Sequence, residues 1–235
     1  MNLWEQHKAE RRERILAAAR KLITHGGVEA LSMRQLARES QLSVATLYNL
    51  YGSKADILYA LLDQGMEAFD QSLTRIPTDD PITFATYCVD VATGMFISEK
   101  PFYRPLMAAI NENTDKERDP IIGKHAMMDI IKGLDTGAAH GLFNGHTEVR
   151  LVARDIYLSL MQAMHFWSVE MYDDEQLREQ CEYSILISLM GVVSDSVRPA
   201  MLARVSELSK RLEHAFPFSS QGEEATPRAE VEAGG

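Results

Sequence analysis

The sequence contains little cysteine, proline and glycine, and it has no long hydrophobic run. Its 235 residues include 2 cysteines, 8 prolines and 14 glycines. Two cysteines, Cys88 and Cys181, are too few for a disulfide framework or a cysteine-rich metal site. The longest nearly apolar stretch, 183–193, is well short of the roughly 18 residues that a membrane span needs. We therefore exclude a fibrous chain, a disulfide-stabilised secreted domain and a membrane-spanning protein.

The N-terminal stretch and the charge balance bear on location and partners. Residues 4–13 are mostly charged where a signal peptide would be apolar, so we expect a cytoplasmic protein. Basic residues are scarce, since 24 Lys and Arg stand against 34 Asp and Glu and the net charge is −10. By itself this balance argues against nucleic acid as a partner. The first 60 residues, however, carry nine basic and six acidic side chains, an asymmetry typical of a chain that meets an anionic surface through one part only.

Helical periodicity dominates the chain, and no strand-like alternation competes with it. Ser32, Ser43 and Ser53 are N-cap candidates about ten residues apart, so short helices with sharp turns are expected there. Asp80 and Asp119, each followed by proline, mark later helix starts. The pattern predicts an all-α protein with about nine or ten helices, near 5–25, 32–40, 43–50, from 54 onward, 80–98, 101–111, 120–140, 147–172, 174–196 and 199–215.

Two of these short helices, 32–40 and 43–50, have the spacing of a helix-turn-helix supported by the helix at 5–25. In such a unit the second helix enters the major groove of DNA, with its capped N-terminus near the phosphates. Small side chains on its first turn could pack against a thymine methyl group, while hydroxyl, amide and ammonium groups suit base edges or phosphates. The candidate DNA contacts are Ser32, Arg34, Ser43, Val44, Ala45, Thr46, Tyr48, Asn49, Tyr51 and Lys54.

Simpler interpretations exist for several of these residues. Tyr48 and Tyr51 could be core aromatics of a helical bundle, and the serine caps and Lys54 favour DNA contact for Tyr48 in particular. Tyr51 and Arg34 stay open between DNA contact and, respectively, packing and a solvated helix face. Lys8, Arg11 and Arg12 are interpreted as a solvated face of the first helix rather than as groove contacts.

Residues 10–62 resemble the DNA-binding domain of the TetR family of transcriptional regulators. The resemblance is carried by the runs Arg14-Ile15-Leu16-Ala17-Ala18-Ala19, Leu31-Ser32-Met33-Arg34-Gln35-Leu36-Ala37, Thr46-Leu47-Tyr48 and Tyr51-Gly52-Ser53-Lys54. It implies an all-helical, usually dimeric protein with a variable C-terminal ligand-binding domain. This chain has Gln41 where the family usually has glycine in the turn, so Gln41 is expected to adopt a left-handed or otherwise strained conformation. Apolar Val44 and Ala45 favour half-sites that contain A·T pairs.

The resemblance and the sequence together predict three regions. Residues 1–54 form the helix-turn-helix DNA-binding domain, and 55–216 form the helical ligand-binding and dimerisation domain. Residues 217–235 form an acidic tail that lacks apolar residues to bury and is expected to be disordered.

Methionine and aromatic residues are concentrated in the second region, which is consistent with a cavity for an apolar or amphipathic effector. Methionine fills irregular apolar space and tolerates different ligands, although ordinary core packing is the simpler interpretation for any single residue. His165 in particular has the apolar neighbours of a core histidine. The residues expected to line the cavity are Met95, Phe102, Met107, Met128, Met161, Met164, His165 and Trp167.

The helices near 147–172 and 174–196 carry a second signal, because residues 185–193 are apolar around most of the helix circumference. Such a helix must be covered on all sides, either deep inside one subunit or by a partner. The resemblance implies a partner, so these two helices are expected to form a homodimer interface.

Together these features predict a ligand-responsive transcriptional regulator that binds double-stranded DNA. We favour a repressor released from a palindromic operator by a small apolar or amphipathic effector. The alternative is an all-helical small-molecule-binding protein without sequence-specific DNA binding, with Gln41 as the lesion. An enzyme is not expected, since His125, His140 and His146 lack metal-ligand spacing and neither cysteine has a nucleophile context. No cofactor or metal is expected.

Overall fold

The computed structural model describes residues 3–70, 80–112, 119–143 and 148–213, and within these ranges the fold is helical. There it contains ten α-helices, one 3₁₀ turn at Val28–Ala30 and no β-strand, which confirms the predicted fold class. The predicted tail, 217–235, lies outside the described residues. The helices are α1 (Leu3–Gly26), α2 (Met33–Ser40), α3 (Val44–Tyr51), α4 (Lys54–Asp70), α5 (Pro81–Ser98), α6 (Lys100–Glu112), α7 (Asp119–Ala139), α8 (Val149–Ser168), α9 (Asp174–Met190) and α10 (Arg198–Leu212).

Side-chain caps fix where several helices begin. The Ser32 hydroxyl accepts a hydrogen bond from Gln35 N, and Ser43 accepts one from Thr46 N. Asp80 caps α5 ahead of Pro81 at the first helical position. Asp173 starts α9 with a full capping box, in which Gln176 returns a hydrogen bond to the Asp173 backbone. These starts agree with the sequence-based predictions.

The turn between α2 and α3 is built on a left-handed residue. Gln41 has φ 54° and ψ 43°, as the sequence predicts for a position where glycine would be usual. The turn is closed by hydrogen bonds from Gln41 N and Leu42 N to carbonyl groups of α2. The absence of glycine therefore leaves the turn intact, at the conformational cost that a left-handed glutamine carries.

Two predicted helix ends are wrong. The helix predicted over 147–172 ends at Ser168, because Glu170 adopts φ 64° and lets the chain reverse before the Asp173 cap. The helix predicted over 174–196 ends at Met190, and the segment after Gly191 forms turns up to α10. In both places apolar residues continue beyond the helix, and Tyr172 and Val193 are buried from positions outside the helices, so periodicity alone overestimates the length.

The first three helices and the start of α4 share a small core of Ile15, Leu22, Leu36, Leu47 and Ile57. The larger domain packs around α9, which contacts α5, α8 and α10 within the same chain. The apolar circumference of α9 is thus mostly covered inside one subunit, which is the first of the two possibilities left open by the sequence. Among the described helices, none is both long enough and apolar enough to cross a bilayer.

The two domains meet where α6 packs against α1 and α4. The Arg20 guanidinium of α1 lies 3.9 Å from the centroid of the Phe102 ring and forms an ion pair with Glu99. On the other side Tyr103 fits against Gly65 of α4, where a Cβ would lie 2.5 Å from Tyr103 Oη. Gly65 therefore permits the close approach of α4 and α6.

Candidate DNA-binding surface and effector cavity

The surface of α3 is the candidate DNA-reading face. Leu47 is the buried residue of this eight-residue helix and anchors it in the domain core. Ala45, Tyr48 and Asn49 face outward, and the Tyr48 side chain is 51% exposed. A short helix held by one buried leucine and exposing small, aromatic and amide side chains has the dimensions and chemistry of a major-groove reader.

The N-terminus of α3 has the features of an anion-binding helix end. Ser43 Oγ accepts from Thr46 N at 3.1 Å and lies 2.8 Å from Thr46 Oγ1, so both hydroxyls are engaged in the cap. The first backbone N–H groups of a helix lack intrahelical partners and point along the positive end of its dipole. Val44 and Ala45 occupy this first turn and could approach a phosphate or a base edge.

Tyr51 is a packing residue in this structure. Its hydroxyl donates to the Arg12 carbonyl oxygen at 3.3 Å, and the Arg12 guanidinium lies 5.0 Å from the centroid of its ring. Arg12 also donates to Leu50 O, at the C-terminal end of α3. Burial raises the pKa of Tyr51 above its ordinary value, with the Arg12 charge acting in the opposite direction. This contact attaches the end of α3 to α1.

Lys54 and Arg34 differ in how freely they could reach DNA. Lys54 Nζ donates to Val28 O at 2.8 Å and so links the start of α4 to the 3₁₀ turn. An ammonium group has three donors, which leaves Lys54 further hydrogen-bonding capacity. Arg34 is exposed on the first turn of α2, next to the capping residue Ser32. Sequence reasoning did not anticipate the internal bond of Lys54, since nothing local places Val28 beside it.

The larger domain encloses a nearly apolar cavity between six helices. The space open to the centres of water-sized molecules is about 140 Å³. Its walls come from α4 to α9: Leu62, Met66, Phe84, Tyr87, Cys88, Val91, Ala92, Thr93, Met95, Phe96, Met107, Ile130, Lys132, Gly133, Ile156, Tyr157, Leu160, Met161, Met164, Cys181 and Ile185. Burial raises the pKa of both cysteine thiols, Cys88 and Cys181, to about 12, so they line the cavity as neutral groups.

Four of the eight residues expected to line the cavity do so: Met95, Met107, Met161 and Met164. The structure places the other four elsewhere. Phe102 is buried against Arg20 at the junction of the domains, and Met128 is exposed. His165 lies beside the Asn111 amide, 3.2 Å from Nδ1 to Nδ2, on the outer side of α8 and α6.

Trp167 belongs to a separate polar cluster. Its fully buried indole donates from Nε1 to Asp174 Oδ1 at 2.9 Å, while the Arg104 guanidinium lies 4.9 Å from the ring centroid. Lys100 Nζ completes the group at 2.7 Å from Asp174 Oδ2. This cluster joins the start of α6 to the turn between α8 and α9. Trp167 therefore packs within this cluster and is not among the residues that line the cavity.

Sequence reasoning missed most of the contribution of α5. Phe84, Cys88, Val91 and Met95 follow the spacing of one helix face and all line the cavity. This periodicity was visible in the sequence, whereas the choice between core and cavity depends on the packing of distant helices. Lys132 was also missed, and it is the one charged side chain among the lining residues that the structure describes.

Aromatic residues connect the cavity to the DNA-binding domain. Phe96 lines the cavity and meets Tyr103 edge to face, with ring centroids 5.0 Å apart. Tyr103 in turn meets Phe102 at 4.8 Å and reaches Gly65 of α4 and Arg20 of α1. A change in cavity shape that moved Phe96 would therefore act on both helices that join the two domains.

The fold and the surface of α3 define a helix-turn-helix protein with a second, helical domain. Residues 15–61 match the family model described as bacterial regulatory proteins, tetR family. The resemblance of the N-terminal domain to the TetR family is thereby confirmed, and this domain is of the tetR helix-turn-helix type.

Curated relatives and solved structures agree with this assignment. The chain is 37% identical over 73 residues to the HTH-type transcriptional repressor KstR of Rhodococcus jostii, covering 31% of this chain and 34% of that one. It is 35% identical over 66 residues to the HTH-type transcriptional regulator HbdR of an Aromatoleum species, covering 28% and 29%. The matched segment thus spans about a third of the length of these relatives.

One solved structure extends the likeness to the whole fold. A TetR-family transcriptional regulator from Pectobacterium atrosepticum superposes with a TM-score of 0.64 at 22% identity, over 81% of this chain and 97% of that one. The likeness of fold therefore extends beyond the N-terminal match to the helices of the larger domain.

Proposed function

We propose that the chain is a homodimeric transcriptional repressor in the cytoplasm, released from a palindromic operator by a small apolar or amphipathic effector. The observation that carries the proposal is α3 itself, a helix capped at Ser43, anchored by Leu47 and exposing Tyr48 and Asn49. The tetR-type domain supports DNA binding, and the similarity to the transcriptional repressor KstR supports repression rather than activation.

Selection of bound duplexes from a random pool tests DNA recognition. We expect enrichment of an inverted repeat whose half-sites are centred about one helical turn, ~34–36 Å, apart. The variant Tyr48→Ala is the matched comparison. Because Tyr48 is exposed, the variant should keep the fold and lose affinity for the enriched sequence. A folded wild-type protein that enriches no sequence would favour the alternative of a small-molecule-binding protein without specific DNA binding.

Apolar side chains left on the surface support a dimer. Leu151 and Leu158 lie seven residues apart on one face of α8, and both are exposed, as are Ile187 on α9 and Leu202 on α10. A partner chain would remove these side chains from water. We expect Leu158→Asp to shift sedimentation toward the monomer and to weaken binding to the palindrome while the helical content stays unchanged. A variant that sediments as wild type would contradict this interface.

The lining of the cavity selects the class of effector. Its described residues include no carboxylate, so a cationic head group would be buried without a partner. Lys132 is exposed at the rim of the cavity and could pair with one negative charge. We therefore propose that the effector is a mainly apolar molecule with a neutral or anionic head group.

Ligands that share one hydrocarbon chain and differ in the head group test this selectivity. We expect a carboxylate to bind more tightly than the matching alcohol, and a trimethylammonium to bind most weakly. Lys132→Met should abolish the preference for the carboxylate over the alcohol and leave alcohol binding unchanged. Equal binding of all three head groups to the wild-type protein would contradict a role for Lys132.

A further inference from the structure

Helix α1 is longer than the helix-turn-helix core requires. Its first buried residue is Ile15, and residues 3–14 are all exposed. The C-terminal end of α3 meets α1 at Arg12, which bonds to Leu50 O and stacks on Tyr51. At 1.5 Å per residue, α1 continues about 13 Å past this contact. The projecting part, residues 3–11, is called the overhang below.

The overhang continues the inner face of α1 with a different chemistry. Ile15, Ala18 and Leu22 are buried on the core face, and their four-three spacing extends upstream to Arg11, Lys8 and Trp4. The side chains that would face a core are therefore basic and aromatic in the overhang. Trp4 is 67% exposed, and Lys8 Nζ lies 5.4 Å from its ring centroid.

Charge is segregated around this part of the helix. At about 100° per residue, His7, Arg11, Trp4, Lys8 and Arg12 fall within an arc of roughly 140°. The two glutamates of the overhang, Glu5 and Glu10, fall in the remaining arc, as does Glu13 just after it. A solvated helix has no need for such segregation, whereas a helix with one face toward a polyanion does.

We propose that this face of the overhang binds the sugar–phosphate backbone of duplex DNA beside the half-site read by α3. Two observations favour DNA as the occupant: the face is basic, and Arg12 joins it directly to the end of α3. The solvated face that the sequence predicts for Lys8 and Arg11 describes the protein without DNA. The inference rests on the proposed function, because it extends the contact beyond the major groove to flanking base pairs.

The length of the overhang sets the length of DNA involved. A projection of about 13 Å corresponds to about four base pairs at 3.4 Å per step. A duplex trimmed to the half-sites should therefore lack the contact, while one that extends about six base pairs farther on each side should include it.

The test compares these two duplexes across a range of salt concentrations, using the full chain and a selected operator. The double variant Lys8→Ala/Arg11→Ala should lower the salt slope on the long duplex by about 2 per subunit, since each phosphate contact contributes about 0.9. On the trimmed duplex it should bind as wild type does. The double variant Lys21→Ala/Lys210→Ala removes the same charge from exposed positions outside the face and should leave the slope on the long duplex unchanged.

Iodide quenching of tryptophan fluorescence gives an independent readout. The chain has 2 tryptophans, and Trp167 is fully buried, so iodide reaches Trp4 alone. The long duplex should protect Trp4 from iodide and the trimmed duplex should not.

Three results separate the possible failures. If the wild-type chain binds neither duplex specifically, the proposed function itself fails. If it binds both with one affinity and one salt slope, the overhang does not contact DNA and this inference is overturned. If the Lys8/Arg11 variant instead changes the oligomeric state in sedimentation and leaves the slope unaltered, the face binds a second copy of the chain, which also overturns it.

Discussion

The Arg20 guanidinium of α1 lies 3.9 Å from the centroid of the Phe102 ring of α6, at the junction between the helix-turn-helix domain and the larger helical domain. Arg20 also pairs with Glu99, whose side chain is half exposed, so the stacking on a buried ring is the stronger contact. Phe102 meets Tyr103 edge to face, and Tyr103 in turn meets Phe96 of the cavity wall. The contact between Arg20 and Phe102 therefore lies on a chain of rings between the cavity and α1.

Arg20→Ala should weaken the communication between effector and DNA. Coupling in ligand-controlled proteins is about 1–3 kcal/mol, a 5- to 150-fold change in affinity. We expect this variant to bind the operator and the effector when each is offered alone. In a titration that measures operator affinity at increasing effector concentration, most of the effector-induced change in affinity should be lost. Glu99→Gln removes only the exposed ion pair and should retain the coupling. Equal coupling in Arg20→Ala and wild type would exclude this route.

Gly65→Ala should disturb the junction of α4 and α6 through a single atom. The new Cβ would lie 2.5 Å from Tyr103 Oη, and Tyr103 is almost fully buried, so either the packed ring or one of the two helices must shift. Overpacking of this kind costs about 1–3 kcal/mol of unfolding free energy, measurable by urea titration.

Two variants serve as controls for this clash. Tyr103→Phe in the Gly65→Ala background removes the colliding oxygen and should restore most of the lost stability. Gly94→Ala, with nothing within 4 Å of the added methyl group, should raise stability by about 0.5–1 kcal/mol through helix propensity. If Gly65→Ala stabilises the protein as Gly94→Ala does, the result would contradict a close contact between Gly65 and Tyr103.

The ion pair between Glu182 of α9 and Arg204 of α10 should contribute strongly to stability when one partner is removed. Both guanidinium contacts are 2.7 Å long, and the Glu182 side chain is only 9% exposed. Arg204→Met leaves a buried carboxylate alone and should cost about 3–5 kcal/mol in a denaturant titration. The double variant Arg204→Met/Glu182→Leu should recover most of the loss. A double variant no more stable than the single one would indicate that packing, not the stranded charge, causes the loss.

The contacts of Asp174 should make part of the free energy of unfolding depend on pH. Burial acts to raise the pKa of Asp174, but hydrogen bonds from Lys100 and Trp167 and the nearby Lys100 and Arg104 charges hold it below the ordinary value. A carboxyl with a lower pKa in the folded chain adds stability above its unfolded pKa of about 3.9, and this stability is lost as the pH falls through the folded value.

Asp174→Asn should therefore be less stable than wild type at pH 7, and the difference should shrink as the pH falls below about 4. Urea midpoints measured between pH 7 and pH 3 check this. Asp155→Asn, in an exposed pair with Arg154, is the matched control and should follow wild type throughout. A constant difference between Asp174→Asn and wild type across the range would contradict the linkage.

Residues of α3 should separate DNA binding from stability. Tyr48→Ala and Asn49→Ala change exposed side chains and should lower operator affinity with unfolding free energies within about 0.5 kcal/mol of wild type. Leu47→Ala removes a fully buried side chain and should cost about 2–5 kcal/mol. Band-shift assays and thermal melts on the same preparations check the split. A loss of stability in Tyr48→Ala would instead assign that ring to the core.

Local signals in the sequence predicted the fold well, and contacts between distant residues account for the errors. The Ser32, Ser43 and Asp173 caps are formed by residues within a few positions, so sequence was sufficient for those helix starts. The left-handed conformation of Gln41 followed from the family resemblance, because glycine is usual at that position of the turn. The end of α8 is set by the left-handed Glu170, which allows α9 to pack back against α8. No local sequence pattern indicates this reversal.

The candidate sites show the same division between local and distant contacts. Outward positions on α3 follow from helical geometry, whereas Lys54 was assigned to DNA without its internal partner Val28. Four of the eight residues expected at the cavity line it, because the methionine content indicates which domain holds a cavity but not which side chains form its walls. Phe102 and Trp167 have the composition of a ligand site and instead pack with Arg20 and Asp174.

The central claim is that an apolar ligand in the cavity controls DNA binding by α3. The most direct measurement is the dissociation constant for the selected palindrome with and without a saturating apolar carboxylate, in wild type and in Met161→Trp, which fills the cavity. We expect the ligand to weaken wild-type binding 5- to 150-fold, about 1–3 kcal/mol, and to leave Met161→Trp unaffected. An operator affinity in the wild type that stays the same while the ligand is shown to occupy the cavity would contradict the claim.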